Sequence, residues 1–304
     1  MTTIPAADAH AWGQGNAAMR PRPQESTLRT LQKRLLRRLV PHAKRPTVRA
    51  QYNRATWWLY AGTKVRCNCC DTRFRRFRVY VGDDGHRSLM CPRCGSLGRH
   101  RVDWLYLTTR TDALSGPVNL LHIAPEICLE NPLRALPNVN YLSADYDSTL
   151  AMDQVDVTNI HYEANRFDGV ICNHVLSVVD DDRRAMSELQ RVVKPDGWAL
   201  VQSSVDPSRD TLERGESAPS SGQSEGDPGR YEEVMMRAYG RDYETRLTEA
   251  GFLVTVSDFA KELSPEVQRE LGLDLDETIF FCRKAGPGRE PAASQAGEGQ
   301  VVAD

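Results

Sequence analysis

No segment of this 304-residue sequence approaches the ~20 consecutive apolar residues that a helix needs to cross a bilayer, so a membrane-spanning role is not expected. Its first residues, MTTIPAADAHAWGQGNAAM, lack both the charged start and the apolar run of a secretory signal. A cytoplasmic location is the expectation. Internal repeats are absent as well, which excludes a solenoid or a propeller. Net charge is nearly absent, at -2, but that balance hides two opposite parts. Between Arg20 and Arg110 stand 22 Lys and Arg against five Asp and Glu, a charge of +17; the remaining residues hold 17 against 36, a charge of -19. A basic module on an acidic body suits a polyanionic or membrane-surface partner, or the docking of the two parts on each other. Nothing in the sequence fixes the oligomeric state.

What the sequence does have is cysteine. Eight Cys in a chain with no export signal point to thiols and metal rather than to disulfides. Cys67 and Cys70 form one Cys-x-x-Cys pair, and Cys91 and Cys94 form a second, with 20 residues between the pairs. This is the spacing of a zinc ribbon, in which two turns each bring two sulfurs to one tetrahedral ion. The expected ligands of a structural zinc are therefore Cys67, Cys70, Cys91 and Cys94. Four thiolates leave no open position, so a catalytic metal is not expected, and Cys69 is a bystander. Phe74 to Val81, broken by Gly82-Asp83-Asp84-Gly85, reads as a small hairpin between the pairs. Arg73, Arg75, Arg76, Arg78, Arg99 and Arg101 crowd this module. They suit phosphate contact, or equally a solvated or domain-facing basic surface.

The chain divides as follows. Residues 1–26 are aperiodic and rich in Ala, Pro and Gln, the mark of a disordered tail. Residues 27–63 include a basic amphipathic helix with Leu28, Leu31, Leu35, Leu36 and Leu39 on one face. Residues 64–101 are the expected zinc-ribbon module, followed by a helix over Arg101 to Thr111. Residues 102–284 are a sheet domain, with a Ser/Gly/Glu-rich loop at 206–230 read as a lid or insertion. Tyr231 to Gly251 reads as helix, with Arg237, Tyr239 and Tyr243 as lid-side contacts. Residues 285–304 read as a second disordered tail.

From Val118 to Ser203, short apolar runs alternate with helical patterns, the signature of a parallel α/β sheet. The runs are Val118 to Ile123, Asn140 to Ala144, a short one at Val155-Asp156-Val157-Thr158, Phe167 to Cys172, and Trp198 to Gln202 after the breaker Lys194-Pro195-Asp196-Gly197. Ligands in such sheets bind at the carboxyl ends of the strands. Ala124, Asp145, Asp156 and Asn173 fall there. Asp180-Asp181-Asp182 reads as the cap of the next helix. Phe252 to Val256 and Thr278 to Cys282 read as two final strands.

These motifs together resemble the class I S-adenosylmethionine-dependent methyltransferases, specifically bacterial members with an N-terminal module of two Cys-x-x-Cys pairs. The resemblance is carried by Cys91-Pro92-Arg93-Cys94-Gly95-Ser96, Arg99-His100-Arg101, Leu121-His122-Ile123-Ala124-Pro125-Glu126, Asp145, and Phe167 through Leu176. It spans roughly Lys64 to Lys284. It implies a Rossmann-like sheet whose last two strands form an antiparallel edge pair, and S-adenosylmethionine as cofactor. It also implies that Asp145 holds the ribose hydroxyls, that Asp156 takes the adenine amino group, and that the Val157 backbone reads the ring. His122, Ala124, Glu126, Tyr146 and Asn173 complete the expected cofactor-facing set; His174, by its position after the fourth strand, reads as a general base or equally as a partly buried histidine hydrogen-bonded to backbone. Arg99-His100-Arg101 is expected to hold the cysteine module to the sheet domain.

The sequence departs from the family at three points. Ala124, Glu126 and Cys128 stand where the first turn of a typical methyltransferase has glycines. Leu176-Ser177-Val178 replaces a Leu-Glu-His, and Val234-Met235 replaces an Asp-His. The leading expectation is O- or N-methylation of a small-molecule or sugar-type acceptor. An RNA methyltransferase gripping RNA through the basic first third is the alternative. A further alternative is a non-methylating, cofactor-binding or regulatory protein, or one that keeps the cofactor for another reaction such as a cyclisation.

Overall fold

The computed structural model describes residues 45–82, 87–148, 150–214 and 235–286. The expected tail at 1–26, the helix around Leu28 to Leu39, most of the 206–230 loop and the residues beyond 286 lie outside the described residues.

The apolar runs become one seven-stranded sheet. In chain order its strands are β5 (Val118–Ile123), β6 (Val139–Asp145), β7 (Asp153–Gln154), β8 (Phe167–Asn173), β9 (Val193–Gln202), β13 (Phe252–Ser257) and β14 (Ile279–Lys284). Across the sheet the order is β13-β14-β9-β8-β5-β6-β7. The strands from β5 to β9 pair in parallel, while β14 runs antiparallel to both β9 and β13. This is the Rossmann-like class I methyltransferase arrangement, with the antiparallel edge pair that the sequence led us to expect. The order reverses between β5 and β8, which makes their carboxyl ends the topological switch point.

The strands are apolar throughout because both faces are covered. Leu120, Ile171, Leu200 and Phe281 pack to one side, and Leu121, Val170, Ala199 and Phe280 to the other. The first side is covered by α2 (Gly98–Thr109) and α3 (Ile127–Arg134), the second by α4 (Asp182–Val192) and α5 (Tyr243–Glu249). The α4 helix starts where Asp181 accepts a hydrogen bond from the Arg184 N–H, 2.9 Å, as the acidic triplet suggested.

Three local readings change. The third strand lies at Asp153–Gln154, just ahead of the expected Val155 to Thr158, so Asp156 and Val157 sit in the turn after it. Lys194 to Gly197 does not break the strand: β9 begins at Val193 and absorbs the extra residues as a bulge against β8, with Asp196 at φ +62°. Tyr231 to Gly251 is not one helix. Arg237–Gly240 is a strand, β12, between β10 (Val205–Asp206) and β11 (Leu212–Glu213), and among the described residues of this stretch only Tyr243–Glu249 is helical. Arg237, Tyr239 and Tyr243 are consequently buried instead of lining a lid. The Arg237 fork donates to the carbonyls of Leu176, Val179 and Asp180 and so clamps the loop that follows β8.

The cysteine module is built from the helix α1 (Arg45–Thr56), the pair β1 (Ala61–Cys67) and β2 (Thr72–Phe74), and the pair β3 (Arg78–Val81) and β4 (Arg87–Met90). The expected hairpin is β3 paired with β4, while Phe74, at the start of the expected segment, ends β2 of the other pair. Phe74 and Phe77 are buried in the core that also holds α2, as the module's expected apolar centre. Arg101 ties the module down. It is fully buried, and its guanidinium donates to the carbonyls of Leu89, Ser96, Leu271 and Gly272 at 2.6–2.8 Å while lying 4.2 Å from the Phe77 ring centroid. Leu271 and Gly272 end the helix α6 (Pro265–Leu271), where Gly272 takes the left-handed cap at φ +57°. A Cβ on Gly272 would meet the Phe77 ring at 2.6 Å, so glycine is required twice over. Arg101 is thus a structural cross-link and is not available to a phosphate. Among the described residues, no helix is long and apolar enough to cross a membrane.

Candidate active site and thiol cluster

The carboxyl edge of the sheet gathers most of the expected residues. Ala124 and His174 are the first residues beyond β5 and β8, and both take left-handed backbone, φ +49° and +56°. Each turns sharply while its N–H stays bonded to the neighbouring strand, Ala124 to the Ala144 carbonyl and His174 to the Gln202 carbonyl, both at 2.8 Å. Left-handed backbone at a non-glycine residue costs about 1–3 kcal/mol and tends to collect at functional sites. Here it occurs on both sides of the switch point.

Asp145 ends β6 half-buried. Its Oδ1 accepts from the Asp147 and Ser148 N–H groups, 2.9 and 2.7 Å, which fixes the carboxylate. Tyr146 beside it is exposed. Asp156 is exposed and similarly fixed, its Oδ1 accepting from the Thr158 N–H and hydroxyl at 2.8 and 2.7 Å; Val157 next to it is buried. His122 is fully buried in β5. Its ring lies between the Tyr141 hydroxyl and the Glu126 carboxylate, 3.0 Å from each. Both nitrogens are therefore occupied, and His122 orients Glu126.

The same edge carries groups that the sequence did not bring together. Arg99, His100 and Asp103 come from the first turns of α2, and Gln202 and Glu277 from beyond β8. The Gln202 amide donates to Asp103 at 3.2 Å and to Glu277 at 3.1 Å, while the Asn173 amide donates to Asp103 at 3.4 Å. The His100 Nδ1 accepts from the Leu97 N–H at 3.2 Å and lies 3.2 Å from the Cys128 thiol. Its proton therefore sits on Nε2, which is 3.9 Å from Glu126. Three buried polar atoms here have no hydrogen-bond partner among the described residues: His100 Nε2, Asn173 Oδ1 and Arg99 Nε. Such atoms are rare, and each calls for a ligand or water. The only local hint was the spacing of Arg99 and Asp103, four apart on one helix face.

Charge at the site follows from burial. Burial lowers His100 to about 3 and, with Arg99 alongside, His174 to about 4. Both rings are neutral at pH 7. Burial raises the Glu126 carboxyl, but the His122 hydrogen bond and the facing His100, His122 and His174 outweigh it and hold the acid at about 2. Burial pushes Asp103 well up, and it carries Glu277 to about 7 against the pull of Arg99. The Asp103–Glu277 pair thus retains a proton near neutrality.

A raised carboxyl is favourable to the fold while protonated. The Glu277 contribution is complete below its ordinary 4.5 and is lost as pH rises through about 7. Glu277→Gln does not titrate. The melting temperature of that variant, relative to the natural protein, should therefore climb by roughly a few degrees between pH 5 and pH 8. A difference that stays constant with pH would contradict the assignment.

The four paired cysteines converge as the spacing required. Their sulfurs all lie within 4.8 Å of one another, with Cys67–Cys94 and Cys70–Cys91 each at 3.7 Å. A tetrahedron with metal–sulfur bonds of ~2.3 Å has edges of about 3.8 Å. Cys91 Sγ also accepts from the Arg93 and Cys94 N–H groups at 3.4 and 3.5 Å, which favours a thiolate. The donor set fits zinc. Cys69 lies apart, buried with its thiol 3.6 Å from the His100 carbonyl.

Residues 128–201 match the methyltransferase domain family. The match runs from α3 into β9. No curated protein matches the chain. Among solved structures it is similar to the S-adenosylmethionine-dependent methyltransferase of Mesorhizobium loti, at 16% identity over 67% of this chain and 100% of that one, TM-score 0.41. It is also similar to the cyclase SpnF, at 17% identity over 79% and 96%, TM-score 0.43. A third similar structure is phosphoethanolamine N-methyltransferase 2 of Haemonchus contortus in complex with S-adenosyl-L-methionine, at 14% identity over 60% and 52%, TM-score 0.40.

Proposed function

We propose that this domain uses S-adenosylmethionine to methylate a hydroxyl or amine of a small-molecule acceptor. The observation that carries the reading is the convergence of Asp145, Asp156, the two left-handed turns and three unpartnered buried polar atoms on one sheet edge. When bound, the cofactor supplies an activated methyl group. The chain's own task is to align the partners, remove a proton and exclude water. The Asp145 carboxylate would hold the ribose hydroxyls. Asp156 would hold the adenine amino group, with the Val157 backbone against the ring. Ala124 keeps the first turn small, and Tyr146 stands at the rim. His174, neutral and half-buried, is one candidate to take the proton. With its basicity at about 4 it is a weak base, and Glu277, at about 7, is better matched to the task near neutral pH.

Zinc on Cys67, Cys70, Cys91 and Cys94 would be structural, its four sulfurs filling the coordination shell. Several arginines of the module favour a small acceptor over RNA, because they are paired within the chain. Arg66 pairs with Asp71, Arg73 with Glu270, Arg78 with Asn53, and Arg93 with Thr72 and the Trp57 ring. Conversion of the cofactor to S-adenosylhomocysteine, followed with a cell-derived small-molecule fraction and with total RNA, separates the two. Turnover is expected with the small molecules. Turnover that depends on RNA and falls steeply with salt would contradict the reading.

A further inference from the structure

The cysteine module carries a surface that the proposed reaction leaves unused. Between Ser26 and Gly82 the sequence holds one acid, Asp71. From Arg45 to Gly82 nine Lys and Arg stand against it. Three of them are paired within the chain: Arg66 with Asp71, Arg73 with Glu270 and Arg78 with Asn53. Four cations are exposed and meet no acid among the described residues: Arg54, Lys64, Arg75 and Arg76.

These four surround an apolar tip. The helix α1 runs directly into a short 3-10 turn, Trp57–Tyr60. Trp57 and Tyr60 pack against the core shared with α2, whereas Trp58 and Leu59 are 63% and 47% exposed. The Trp58 indole N–H already donates to the Ala55 carbonyl at 2.9 Å, so what the ring turns to solvent is apolar. Arg54 stands one helical turn before Trp58. The Arg75 guanidinium donates to the Leu59 carbonyl, and its backbone N–H donates to the Tyr60 carbonyl, which fixes this cation at the tip. Gly62 to Lys64 bulge out between Ala61 and Val65, both of which pair with Phe74, and a Cβ on Gly62 would meet the Arg75 backbone nitrogen at 2.6 Å. Lys64 and Arg76 are each within two residues of that contact.

We infer that this tip is a docking surface for a bilayer that carries anionic lipid. Trp58 and Leu59 enter the headgroup layer, and Arg54, Lys64, Arg75 and Arg76 face the headgroup charge. The charge selects an anionic partner, and the tip selects lipid among anionic partners. Two apolar side chains offer about 400 Å² at most, well under the roughly 1,000 Å² of a specific protein interface. Single-stranded RNA stacks on successive aromatic rings, and this turn exposes one ring beside a leucine. The inference stands apart from the cofactor reading and gives the basic charge of the module a task.

The test is co-sedimentation of the full-length, zinc-loaded protein with vesicles of phosphatidylcholine alone and of equimolar phosphatidylcholine and phosphatidylglycerol. Binding is expected to the anionic vesicles only, and added salt should release it. Trp58→Ser with Leu59→Ser should weaken that binding by about tenfold or more, and Lys64→Glu with Arg76→Glu by a similar factor. All four side chains are exposed, so both variants should keep their zinc and their melting temperature. Equal binding to both vesicles, or to neither, would overturn the inference. Anionic-vesicle binding that survives Trp58→Ser with Leu59→Ser would also overturn it, by placing the contact elsewhere in the basic first third. Two further outcomes would assign the tip to another partner: RNA binding without vesicle binding, or self-association in ultracentrifugation, that the same variant abolishes.

Discussion

Replacing Cys91 and Cys94 together by serine is expected to release zinc, to lower the melting temperature by about 10 °C or more, and to weaken cofactor binding as well. The first two effects follow from the site. Structural zinc contributes folding energy directly, and two of its four ligands would be gone. The third follows from connectivity. The turn holding Cys91 and Cys94 passes through Ser96 and Leu97 straight into α2, whose first residues carry Arg99 and His100. Ser96 contacts both sides of that junction: its hydroxyl lies 3.2 Å from Cys67 Sγ, and its carbonyl accepts from Arg101 at 2.7 Å. Loosening the thiol cluster therefore loosens the start of the helix. Cys69→Ala should keep its zinc, since Cys69 stands outside the tetrahedron. Metal content by mass spectrometry and a thermal melt settle both points, and a natural protein that purifies without metal and melts like the double variant would contradict the assignment.

Asp145→Ala should lower the affinity for S-adenosylhomocysteine by about a hundredfold or more. Two hydroxyl hydrogen bonds to a carboxylate are together worth roughly 3–5 kcal/mol. The alanine also frees the Asp147 and Ser148 N–H groups that Oδ1 now holds. Asp145→Asn separates the two contributions. Its carbonyl oxygen can keep the turn while the charge is lost, so it should fall between the natural protein and the alanine variant. Equal affinity in all three, by calorimetry, would remove Asp145 from the site.

Much of this architecture was legible because it is local. Val118 to Ile123 is apolar on both faces and bounded by Gly-Pro before and Ala-Pro after, so its strand matched to the residue. The acids that end strands, Asp145 above all, fall at the carboxyl edge whenever the strands are parallel. The cysteine spacing brought four sulfurs together because each turn is a local structure. The failures were non-local. The strand Arg237–Gly240 forms only because β10 and β11 pair with it, and its own residues would serve a helix equally well. Lys194 to Gly197 read as a stop because Pro and Gly usually are one, yet the ladder with β8 continues around the bulge. The polar cluster at the carboxyl edge was legible only in part: Glu126 and Asn173 were expected there, whereas residues 99–103, Gln202 and Glu277 join them only through the fold. Buried Arg101 was hidden for the same reason: its partners at Leu271 and Gly272 lie 170 and 171 residues away.

The central claim is that the carboxyl edge of this sheet is a working cofactor cleft. Calorimetric titration of the zinc-loaded full-length protein with S-adenosylmethionine and S-adenosylhomocysteine tests it most directly. Saturable one-to-one binding of both, with micromolar or tighter affinity and lost in Asp145→Ala, is the expected result. Absence of heat with either ligand from a folded, metal-loaded protein would contradict it.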